Sequence, residues 1–301
     1  MDQATSLRKM KRQQEVKKNT EAGSVQEKIP RQESIRVIAI TSGKGGVGKT
    51  NIAANLAYAL SSMDQKTLIL DADTGLANID LILGLTPKYN LYHLLNGQKS
   101  LAEIIIKGPG GIMILPSSSG IADMADLSKG HKLTLIDEIN RLKDRPDFMI
   151  IDTAAGIAAN VMYFNMAAKE IIVVTTPEPP SITDAYALMK ILHKSYAKKR
   201  FQLIVNMVRS SSEAKEVFGR LRTVTDHFLN IHLEYLGFVL HDEKCQEAVK
   251  RQKALMELYP SSVGSRCLHQ IAEKLLKEKP EVQEEGSVVF FGDSVIGQDH
   301  G

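Results

Sequence analysis

Seven short apolar runs recur from residue 35 onward: IRVIAIT (35–41), KTLILDAD (66–73), GIMILP (111–116), DFMIIDT (147–153), EIIVVTT (170–176), FQLIVN (201–206) and LEYLGFVL (233–240). Most are continuously apolar rather than alternating. A strand wet on one face alternates apolar and polar side chains; a strand covered on both faces does not. Between the runs lie stretches of helical length and period, among them NIAANLAYALSSM (51–63), SITDAYALMKILHKSYAKK (181–199) and SRCLHQIAEKLLKEK (265–279). Ile52, Leu56, Ala59, Leu60 and Met63 fall on one side of the first, and Leu268, Ile271, Ala272 and Leu275 make a core stripe on the last. This order predicts an α/β fold of three layers, a mostly parallel sheet with helices on both faces. Ligands in such sheets sit beyond the carboxyl ends of the strands.

The loop after the first run is TSGKGGVGKTN (41–51). It fits G-x-x-x-x-G-K-[ST] through Gly43, Gly48, Lys49 and Thr50, between a predicted strand and a predicted helix. Glycines at 43, 45, 46 and 48 open backbone conformations closed to other residues and leave the amides uncovered. Those amides, including that of Val47, and the helix amino end favour phosphate oxygens. Lys49 is expected on the β- and γ-phosphates of ATP, the Thr50 hydroxyl on Mg²⁺, and Asn51 beside the nucleotide. Lys44 is surplus to the pattern.

Three aspartates end strands near this loop. Asp152 closes DFMIIDT and is placed to hold Mg²⁺, through water. Asp71 and Asp73 follow the second run. One of them can orient attacking water, with Asp73 favoured, and Asp71 joins Thr50 and Asp152 as a candidate metal ligand. The competing reading makes one of the pair a helix cap. Gly156 ends a loop suited to sense a γ-phosphate. Asn206 closes LIVN, where its amide suits an adenine edge or, alternatively, a turn.

Taken together, KGGVGKT with Lys44, DADTGLANID, FMIIDTAAG and LIVN resemble the deviant Walker-A ATPases of the MinD/ParA type, over about residues 35–276. The resemblance implies a P-loop NTPase of the SIMIBI type. It implies that Lys44 reaches the nucleotide of a second subunit, so that ATP is sandwiched in a homodimer that exists only with ATP bound. Lys44, Lys49 and Asp73 then form the catalytic set of a slow, regulatory ATP hydrolase.

The first ten residues narrow the family. Asp2, Gln3, Ala4, Leu7 and Arg8 are similar to the activator motif of flagellar-number regulators (FlhG, FleN or YlxH), which stimulates the signal-recognition-type GTPase FlhF. That branch implies control of flagellar number and placement, with flagellar C-ring proteins or a transcription regulator as further partners. TTPEPPSITDAYALMK (175–190) extends the likeness. Division-site regulation of the MinD type and partitioning of the ParA type are the alternatives.

Composition and the chain ends exclude other classes. A net charge of +3 on 301 residues does not argue for nucleic acid. Cys245 and Cys267 form no CxxC pair, which disfavours the iron–sulfur branch. Residues 1–34 read as a basic appendage, 35–279 as the ATPase domain and 280–301 as a tail. No apolar run approaches the ~18 residues of a spanning helix, and no secretory leader is evident. A cytoplasmic protein is expected, peripheral at most to the inner face of the cell membrane. The family's basic amphipathic tail is not matched: residues 276–301 hold Lys277 and Lys279 against six acids, a balance anionic lipid repels.

Overall fold

All seven apolar runs are strands, and their alternate side chains separate cleanly onto two faces. The computed structural model describes residues 35–73, 78–117 and 129–278. The activator segment, with Asp2, Gln3, Ala4, Leu7 and Arg8, and the tail 280–301 lie outside the described residues. In chain order the strands are β1 (Arg36–Ser42), β2 (Thr67–Ala72), β3 (Ile106–Lys107), β4 (Met113–Leu115), β5 (Phe148–Ala155), β6 (Glu170–Thr175), β7 (Arg200–Val208) and β8 (His232–Leu240). Only β3 was not anticipated; two residues carry no periodicity.

The sheet order is β3-β4-β2-β5-β1-β6-β7-β8. Every neighbouring pair is parallel except β3 with β4. Strands β2 to β5 lie on one side of β1 and β6 to β8 on the other, so the order reverses at β1. Its carboxyl end is therefore the switch point at which such sheets bind ligands.

Ile38, Ile40, Ile69, Ile150, Ile172 and Ile204 pack under helix α1 (Lys49–Ser62) and the last helix, Val263–Lys277. Val37, Ala39, Leu68, Leu70, Met149 and Ile151 face the other way, toward Tyr163 and Phe164 of helix Ala159–Ala167. Successive residues of one strand thus serve two cores, which is why the runs do not alternate.

Helix α1 is buried more widely than its apolar stripe implies. Ile52, Ala53, Ala54, Asn55, Leu56, Ala57, Ala59 and Leu60 are all buried, because α1 is wedged between the sheet and the last helix. The alanines allow that close approach. Asn55 is satisfied there: its Oδ1 accepts from the Met256 amide at 3.0 Å and its Nδ2 donates to the Asn51 carbonyl at 2.8 Å.

The amino ends of the strands are tied by Arg36. Its guanidinium grips Glu170 of β6 at 2.5 and 2.7 Å and donates to the Leu275 carbonyl near the end of the last helix. The pair is nearly buried, so removing either partner would strand a charge.

Candidate nucleotide-binding and hydrolysis site

Strand β1 delivers the chain directly into the glycine-rich loop. Gly46 and Gly48 have φ of 79° and 87°, in the left-handed region where side chains are strained. Gly48 is also the N-cap of α1. Gly43 is required for a different reason. A Cβ there would lie 2.1 Å from the carbonyl oxygen of Asp184, in helix Pro179–Tyr196. Gly43→Ala is expected to cost about 1–3 kcal/mol by forcing loop and helix apart, and to weaken ATP binding at least about tenfold because the amides no longer converge. Thermal unfolding and calorimetric titration check both. By contrast, nothing lies within 4 Å of a Cβ placed at Gly45 or Gly46, so that flank of the loop is open.

Several bonds hold the loop from behind. The Ser42 hydroxyl donates to the Lys44 carbonyl at 2.7 Å, and the Gly156 amide donates to the Ser42 carbonyl at 2.9 Å. The Asn206 Nδ2 donates to the Val47 carbonyl at 2.8 Å, while its Oδ1 accepts from the Met207 amide at 2.9 Å. The amide expected on an adenine edge is thus engaged with backbone on both sides, and Asn206 serves as a brace for the loop.

The aspartates separate by environment. Asp71 and Asp152 are register partners on adjacent strands. Asp71 accepts from the amides of Asp73 at 3.1 Å, Asn78 at 3.0 Å and Ile79 at 3.2 Å. Its oxygens thus hold the backbone that follows β2, the arrangement the capping alternative describes. Burial pushes its carboxyl up to about 6 against those amides. Asp152 is 1% exposed, and neither of its oxygens has a hydrogen-bond partner among the described residues. Burial, and then the neighbouring Asp71 and Asp73 charges, push it up to about 7; the nearby Thr50 hydroxyl and Lys49 act the other way without satisfying it. Lys49 is itself buried, which lowers its pKa, and Asp152 and Asp73 counter that.

A buried carboxylate with no partner, beside a hydroxyl and a lysine, suits a divalent cation. Asp152 and Thr50 are the residues that would hold Mg²⁺, which supplies charge neutralisation at phosphate oxygens. Lys49 would meet phosphate beside them, and the Asp73 carboxylate acts electrostatically on both Lys49 and Asp152.

Lys44 pairs with a different acid. Its Nζ donates to Glu178 Oε2 at 2.6 Å, with both side chains substantially exposed. Exposed pairs of this kind are worth about 0–1 kcal/mol, so a stronger anion can take the lysine. Beside the loop, a cavity of about 390 Å³ is lined by Asn51, Asn206, Met207, Leu240, His241 and Cys245, among others.

Comparison with known proteins gives this geometry its relatives. The AAA domain family matches residues 35–205. Antiactivator FleN of Pseudomonas aeruginosa is 40% identical over 262 residues, covering 87% of this chain and 94% of that protein. The chain belongs to the MinD/ParA-type ATPases. Flagellum site-determining protein YlxH of Helicobacter pylori is 36% identical over 261 residues, 85% of this chain and 88% of its own. The septum site-determining protein MinD from Pyrococcus horikoshii, solved with Mg-ADP, superposes with a TM-score of 0.64 at 27% identity, over 80% of this chain and 96% of that one. The expected fold and ATPase class are met.

In this MinD/ParA-type ATPase, residues that the sequence alone does not single out stand beside the loop. Glu178 stands within TTPEPPS, but only the folded chain shows it on Lys44. His241 and Cys245 line the cavity because they follow β8, and the strand-end rule applied to that run would have found them.

Proposed function

We propose that the chain is an ATP-gated dimeric switch that limits flagellar number and placement. In this reading Mg-ATP binds at Gly43–Asn51, with its base in the cavity beside Asn206. Lys44 leaves Glu178 and crosses to the terminal phosphate of a second copy. Loss of that phosphate removes the attraction, and the pair separates. Asp73 orients the water. The dimer presents Asp2, Gln3, Ala4, Leu7 and Arg8 to an FlhF-type GTPase and stimulates it. C-ring proteins or a transcription regulator receive the same signal.

The observation that carries the flagellar part is the similarity to FleN and YlxH across nearly the whole chain. Deleting residues 2–8 should leave ATP turnover unchanged and abolish stimulation of the GTPase, measured as GTP hydrolysis with the purified pair. Intact stimulation would sink the activator assignment. The division-site reading rests on the MinD relatives. Counting flagella and septa in a strain lacking the protein separates the two.

A further inference from the structure

Met207 departs from the backbone that the rest of the sheet keeps. Its φ is 58°, in the left-handed region where a side chain is strained. Asp64, Ala197, Asn230 and Gln252 share that sign, and each sits at or just after the end of a helix. Among the described residues, only Met207 is a non-glycine with positive φ inside a strand. The cause is a bulge. Val205 lies opposite Phe238 and Val208 opposite Leu240, so two residues of β7 face the single Val239 of β8. Bulges re-aim side chains, and backbone strain of this kind gathers beside functional sites. The Asn206 Oδ1 accepts from the Met207 amide at 2.9 Å, and the Nδ2 of the same side chain donates to the Val47 carbonyl. One amide group thus fixes the bulge against the phosphate loop.

What the bulge delivers is an apolar side chain at the cavity beside that loop. Met207 lines the cavity yet is 43% exposed, and it belongs to none of the buried cores. Its Cε methyl lies 3.5 Å from where a Cβ would stand on Gly48, the N-cap of α1. Ile52, Leu240, Val249 and Leu255 share the lining, so the space suits a flat apolar ring. An unbranched thioether adapts to such a ring and makes favourable contact with it. We propose that Met207 covers the nucleotide base in this cavity, and that the strained backbone is kept because it puts the side chain there. The contact adds affinity for a purine ring without reading its edge. It rests on the reading that places the base in the cavity beside Asn206.

Calorimetric titration of the full-length chain with Mg-ADP and with Mg-pyrophosphate tests this. The diphosphate leaves the chain single in the account above, so pairing does not enter. Met207→Gly should weaken Mg-ADP binding about tenfold and leave Mg-pyrophosphate binding within about twofold. Its melting temperature without nucleotide should hold or rise, because glycine accepts the positive φ without strain. A side chain that served only folding would lower it. Met207→Leu, apolar and unbranched at Cβ, should keep ADP affinity within about threefold of wild type. If wild type prefers ADP to pyrophosphate and Met207→Gly keeps that affinity, the base sits in the cavity and the proposal for Met207 is overturned. If wild type binds the two equally, the base is not in the cavity and both readings fall. An equal loss of ADP and pyrophosphate in Met207→Gly would place the damage in the loop and overturn the proposal. So would a variant that binds ADP normally and fails only to pair with a triphosphate analogue, since Met207 would then face the second copy.

Discussion

Asp152→Asn should make the nucleotide-free protein more stable and nearly inactive at once. Asparagine keeps the volume of the protonated acid and cannot ionise. In the native protein Asp152 is fully enclosed, and its pKa rises from the usual carboxylate value to about 7. The folded protein therefore holds a proton that the unfolded chain has lost between about pH 4 and pH 7, and stability falls as pH rises through that window. That rise corresponds to about 4 kcal/mol at about 1.4 kcal/mol for each tenfold change. The variant should gain little near pH 4 and on the order of 4 kcal/mol above pH 7, or on the order of 10 °C in melting temperature. Turnover with Mg-ATP should fall at least about a hundredfold, because the group that would anchor the cation is gone. Melting curves of both proteins from pH 4 to pH 8 check the first part. A variant that melts lower than wild type at pH 8 would show that the carboxylate is satisfied after all.

Lys44→Ala should separate nucleotide binding from association. The lysine touches Glu178 on an open surface and no core residue depends on it, so melting temperature should move by a degree or two at most. Lys49, Thr50 and the loop amides remain, so ATP affinity of the single chain should change less than about threefold. What is lost is the cation offered to the second copy. Nucleotide-dependent pairing should vanish, and turnover should drop about tenfold to a hundredfold because the closed site never assembles. Turnover at wild-type rate with a single chain per particle would mean that hydrolysis does not need the second copy.

Much of the architecture was legible because burial on both faces leaves a distinctive mark. Ile38 and Ile40 serve one core and Val37 and Ala39 the other, and no wet strand would carry that run. The glycine loop was legible because Gly43, Gly46 and Gly48 each answer a geometric demand no other residue meets. On helix α1, Ala53, Ala54 and Ala57 are buried for their smallness, which a stripe of large apolar residues does not register. Asp71 and Asp152 look alike as acids closing apolar strands. Only the fold shows that three amides converge on Asp71 and none on Asp152. Asn206 was ambiguous in the same way, since an amide that suits a base edge suits two backbone groups equally well. The Lys44–Glu178 pair joins residues 134 positions apart, a distance at which only topology decides who meets whom.

The central claim is that ATP joins two copies through Lys44. Light scattering of the purified chain with Mg²⁺ and a non-hydrolysable ATP analogue, beside the same chain with Mg-ADP, tests it most directly. The account predicts twice the 33.2 kDa chain mass with the triphosphate, the single mass with the diphosphate, and the single mass for Lys44→Ala with either. Equal masses for the wild-type protein in both nucleotides, or a full-sized pair formed by Lys44→Ala, would contradict it.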